Sequence, residues 1–287
     1  LSVTILSSTT SPPKMASTTL YCPVPGTYGI AQLDIEATIE HLDSEAREAA
    51  KHVKPAQCFI YFYLATEFPL PSRPWTRYIT YIVGPGLRAV DQDNCFTPEM
   101  CVPIFPATKH PNQRAPLYPE TPFPFTNCYH WAYTDLLLRV STGEYPCEDD
   151  PRVTMLPAGE HLRLDALLTE DLEAAMIARR ERDGGQLIPT DEDDNFIWRP
   201  DVPDEQIPVV NVSLNLAGTL EQDNLPDPME FLRESKALRR YVAVVLQKLA
   251  TGNRYHVGSS ESPTRGRKMP LKPVQATTME RPFQQAA

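Results

Sequence analysis

The chain has 287 residues, 41% of them apolar, and a formal net charge of −10. That length and apolar share allow one large domain, or two small ones, with a sizeable core. The charge is uneven. From Asn253 onward six basic residues (Arg254, Arg265, Arg267, Lys268, Lys272 and Arg281) face only Glu261 and Glu280, a net of +4 that leaves −14 on the body. An acidic body argues against nucleic acid over a broad face, because neutralising phosphate needs Lys and Arg.

Met15-Ala16-Ser17 reads as a natural start, with the Ser/Thr-rich stretch before it as upstream sequence. Residues 1–19 are expected to be disordered. Leu1–Leu6 is too short for a signal-peptide core, and no apolar run reaches a membrane span. The six cysteines (22, 58, 95, 101, 128 and 147) then read as reduced thiols in cytoplasm or nucleus.

Asp34 caps a helix expected to run to about Val53, with Ile35, Ile39, Leu42, Ala46, Ala49 and Val53 on one stripe. Cys58–Leu64, apolar on both faces, reads as a buried strand, and Thr76–Val83 as a second. Proline is abundant, 30 residues in all, roughly twice the usual share of about 5%. The span Pro103–Pro124 is so dense in it that only extended segments are expected there. Tyr133–Val140 reads as a strand and Val153–Leu156 as a short one. Thr169 is expected to cap a helix to Arg182, stopped by Gly184-Gly185. Gln186–Gln206 reads as an acidic loop, and Val209–Leu216 alternates as a half-buried strand.

The last helix is the clearest. Asp227 caps it, Pro228 opens it and Glu230 is placed to cap reciprocally. Phe231, Leu238, Val242, Val245 and Leu249 form one stripe, expected to press on the strand just before it, and Thr251-Gly252 is expected to end it. The fold expected is α+β: one domain over residues 20–252, with a mostly β core of about four to five strands and three main helices. A disordered basic tail over 253–287 follows.

Several patterns suggest chemistry, each with a plainer reading. Gly84-Pro85-Gly86-Leu87-Arg88-Ala89 fits a dinucleotide-binding turn, but Pro98 arrives too soon for the helix such a site needs, so a strand-end turn is preferred. Asp191, Asp193 and Asn195 start a calcium loop that fails at Phe196 and Val202. Cys95, Cys101, Cys128, His130 and Cys147 have no zinc-site spacing beyond Cys128-x-His130. No cofactor or metal is therefore expected. Cys128 with His130 or His161, and Asp135 or Asp165 to orient the imidazole, could form a thiol nucleophile; buried thiols and satisfied histidines are the plainer account. Ser262-Pro263-Thr264-Arg265 resembles the site preferred by proline-directed kinases of the cyclin-dependent type, which makes Ser262 a phosphorylation candidate in a eukaryotic protein. The function expected is a soluble, non-catalytic protein-interaction module without a membrane partner, its contacts made by the proline-rich excursion and the basic tail. The alternative is an enzyme whose site is dispersed along the chain, with Cys128 and His130 the first candidates.

Overall fold

The computed structural model describes residues 19–184 and 202–255. The expected N-terminal disorder, the calcium-loop residues 191–201 and Ser262 with its basic cluster lie outside them. The chain divides into two units, one through Gln247 and one from Lys248; the first contains everything that follows.

Its strands are β1 (Thr19–Leu20), β2 (Tyr28–Asp34), β3 (Gln57–Ala65), β4 (Trp75–Pro85), β5 (Val102–Pro103), β6 (Cys128–Ser141), β7 (Tyr145–Pro146) and β8 (Val209–Ser213). Helices are α1 (Ile35–Ile39), α2 (Ser44–Ala50), α3 (Ala158–Arg182), α4 (Leu216–Thr219) and α5 (Pro228–Tyr255). Five strands close into a barrel in the order β4-β3-β2-β8-β6, with β6 returning to β4. All pairs are antiparallel except β6 with β8. Closure leaves these strands no open edge through the barrel wall.

Side chains alternate between the two faces of each strand, and the faces carry different cores. One face takes Ala31, Leu33, Cys58, Ile60, Tyr78, Ile82, Leu138, Val140 and Val210, so all five barrel strands contribute to it. The opposite face of β2, β3 and β4 presents Tyr28, Ile30, Phe59, Tyr61 and Val83. It packs beneath Ile104, Leu117, Phe123 and Phe125 of the proline-rich excursion and beneath Leu164 of α3. The excursion has no long regular element, as its prolines require, yet it supplies buried apolar side chains rather than hanging off as an arm.

Several boundaries differ from the expected ones. The first helix breaks into α1 and α2. Asp34 does cap it, its Oδ1 accepting from Ala37 N at 2.9 Å. The chain then turns at Leu42, which is buried, and the Arg47 side chain donates to the carbonyls of Leu42 and Glu40 that the break releases. α3 begins at Ala158, so Thr169 is no cap; its hydroxyl donates back to the Asp165 carbonyl inside the helix. Gly184, at φ +67°, follows the end of α3 as expected. β6 reaches back to Cys128, while Val153 and Met155 make only isolated bridges. Asp227 caps α5 by accepting from Met229 N at 2.9 Å, whereas Glu230 pairs with Lys54. α5 continues through Gly252 to Tyr255, because a glycine weakens a helix by only about 1 kcal/mol. Leu238 and Val242 pack on Ile39, Leu42 and Ala50 of the first two helices, while Phe231 joins the five-strand core.

Candidate functional site

The glycines of the dinucleotide-like motif do something else. No helix follows them among the described residues. A Cβ on Gly84 would lie 2.3 Å from the Trp131 ring, so only glycine leaves space for that indole. The Trp131 Nε1–H donates to the Gly86 carbonyl at 3.0 Å. With the indole seated there, β6 bulges: Val83 pairs with His130 but Tyr81 pairs with Asp135. Five residues on β6 thus oppose two on β4, and His130 and Asp135 emerge on the same face.

That face is the one beneath α3. The register runs Tyr28 to Tyr61, Tyr61 to Tyr81 and Tyr81 to Asp135, a row across four strands. Tyr63 stands next to Tyr61 on the same face, and α3 lowers His161 and Asp165 onto it. The Tyr28 hydroxyl and His130 Nε2 are 2.9 Å apart. The Tyr61 hydroxyl meets His161 Nδ1 at 2.5 Å. Tyr63 donates to Asp165 Oδ1 at 2.8 Å and its ring stacks on His161, 5.2 Å between centroids and 8° from parallel. Tyr63 also lies 4.8 Å from the Tyr81 ring.

Burial grades across the group. Tyr28, Tyr61 and His130 are buried, while Tyr63, Tyr81, Asp135, His161 and Asp165 are half-buried and reach solvent. Burial drives the protonation states. It pulls the His130 imidazole down to about 3, helped by His161 nearby, so His130 is neutral. It pushes Tyr28, Tyr61 and Tyr81 well above the ordinary phenol range. Tyr63 rises to about 12 through burial and then through the Asp165 carboxylate it donates to. The Asp135 carboxyl is pushed up to about 7 by burial. Apart from its own backbone N–H, no hydrogen bond or ion pair holds Asp135 among the described residues.

The candidate residues therefore fall out unequally. His130, His161, Asp135 and Asp165 share one face, but tyrosines stand between them, and no described hydrogen bond joins either imidazole to a carboxylate or to Cys128. Cys128 is buried on this face, with its thiol pushed up to about 12 by desolvation; a nucleophilic thiol needs the opposite shift. No three His, Cys, Asp or Glu residues among those described are placed to hold a metal ion, and the six cysteines are unpaired. The sequence reading missed the tyrosines. Their only linear signal is Tyr61-x-Tyr63, two phenols on one strand face in a segment otherwise apolar. No described helix is long and apolar enough to cross a membrane. No protein-family model, curated protein or solved structure matches the chain.

Proposed function

We propose that the chain is an acid–base enzyme acting on a small molecule at the Tyr–His–Asp face beneath α3. One observation carries this reading. Two carboxyl groups, an imidazole and two phenols, all half-buried, converge on one face from β3, β4, β6 and α3. Structural ion pairs explain carboxylates that have cationic partners; Asp135 has none among the described residues. A carboxyl group that titrates near neutrality can both take and return a proton. His161 is positioned by the hydrogen bond from its Nδ1 to Tyr61 and by the stacked Tyr63 ring, which leaves Nε2 turned to neither partner. Tyr81, kept protonated, supplies an O–H for a substrate oxygen. The reaction class is proton transfer at a carbon beside a carbonyl, as in isomerisation or dehydration. Cys128 takes no part in it.

The experiment is solvent deuterium incorporation into a panel of small ketones, followed by mass spectrometry. Exchange above the buffer rate, lost in Asp135→Asn and in His161→Gln, supports the reading. No exchange with any ketone, or equal exchange by both variants, refutes it.

A second reading rests on α3 itself. Leu162, Leu172, Met176 and Ile177 are exposed on its outward side while Leu164 and Ala175 are buried on the other. A helix apolar on both faces favours a protein partner, which keeps the interaction module as the runner-up, with α3 as its contact in place of the excursion.

A further inference from the structure

We propose that the ligand of this face is a small organic ammonium ion, held between the Asp135 carboxylate and the rings of Tyr81 and Tyr63. The inference rests on the site assignment above but not on the reaction assigned to it.

Charge is the first ground. The ionisable groups sharing the face are Tyr61 and Tyr63 on β3, Tyr81 on β4, His130 and Asp135 on β6, and His161 and Asp165 on α3. Every charge that bears on Tyr81 is negative or potentially so, from Tyr63, Asp135, Asp165 and Tyr61. Arginines nearby in the fold are engaged elsewhere. Arg77 pairs with Asp204 at 2.8 Å. Arg139 donates to the Ile207 carbonyl at 2.7 Å and covers the Trp75 ring. Arg163 binds Glu160 and the carbonyls of Ala115 and Pro116. An anionic ligand would meet two carboxylates here with no cation to offset them.

Aromatic faces are the second ground. Tyr81 is the cross-strand partner of Asp135, and its ring leans on Tyr63 at 40°. A carboxylate beside electron-rich rings attracts alkylammonium groups, whose methyls the rings also accommodate. The third ground is independent of both. His130 is fully buried, and its Nδ1 has no hydrogen-bond partner. The bulge puts His130 and Asp135 opposite Val83 and Tyr81, one same-face step apart, which is roughly 7 Å along a strand. A ligand with an ammonium on Asp135 and a hydroxyl or carbonyl reaching inward would satisfy both unmatched groups.

The test uses the full chain, choline, and its uncharged isostere 3,3-dimethylbutan-1-ol, followed by calorimetry and by the aromatic proton resonances. Choline is expected to bind at least about tenfold more tightly than the alcohol. Asp135→Asn should erase that preference, as should Tyr81→Leu, a second variant that does not depend on the first one folding. Choline affinity should rise with pH up to about 7 and then level, because a proton and the cation compete for one carboxylate. The inference is overturned if the alcohol binds as well as choline, if neither binds, or if both variants keep the preference. Deuterium exchange without a choline preference would defeat this inference alone; a choline preference without exchange would defeat only the proton-transfer reading.

Discussion

Asp135→Asn should make the protein more stable at neutral and alkaline pH, which is unusual for removing a charge from a half-buried position. An unfolded aspartate loses its proton near 3.9, whereas the folded one does so at about 7. Between those values the folded chain holds a proton that the unfolded chain has released. Stability therefore falls as pH rises through that window and stays low above it. About three pK units at about 1.36 kcal/mol each set a ceiling near 4 kcal/mol. Asp135 keeps partial contact with water, so screening reduces this to about 1–2 kcal/mol. The asparagine amide has nearly the carboxyl's shape and no charge to desolvate. Urea unfolding of both proteins at pH 4.5, 6 and 8 should show nearly equal stability at the lowest pH. The variant's advantage should then grow to about 1–2 kcal/mol at the highest. A variant equal to or weaker than the parent at pH 8 would mean that Asp135 has a compensating partner, and the argument from its isolation would fail. A carboxylate kept at such a cost is what a binding or catalytic role explains.

Other expectations are simpler to check. Leu238 is fully buried among Ile39, Leu42 and Val242, so Leu238→Ala should cost about 2–5 kcal/mol in urea melts, whereas Arg240→Ala at an exposed site should stay within about 0.5. Gly84→Ala drives a methyl into the Trp131 ring; a loss of about 1–3 kcal/mol with an altered near-ultraviolet tryptophan signal is expected, and an unchanged signal would count against the seating of Trp131. Cys128, buried and protonated, should resist iodoacetamide at pH 8 in the folded protein while Cys22, Cys95 and Cys147, which are partly exposed, react; peptide mass mapping separates them, and rapid labelling of Cys128 would restore it as a nucleophile candidate.

Local chemistry was legible in the sequence wherever one segment carried the whole signal. The α5 stripe, the Asp34 cap and the apolar run of β3 each express a period or a cap that needs no partner, and each appears in the structure. Where a choice depended on a distant group, sequence reading went astray. The helix break at Leu42 needs Arg47 to receive the released carbonyls, and Thr169 resembles a cap only when the ten helical residues before it are overlooked. The candidate site belongs to the second kind. Asp135 and His130 are five residues apart, and an unbroken strand would turn them to opposite faces. Only the bulge, set by Trp131 entering the space that Gly84 leaves, brings them to one face. Tyr28, Tyr61 and Tyr81 are three unremarkable aromatics in sequence, and become a row only when antiparallel register aligns them. The sequence thus determined which stretches would be helix or strand and which could be buried. Tertiary structure alone decided which polar groups would meet in a place dry enough to shift their protonation, because register, closure and burial belong to the assembled chain and to no segment of it.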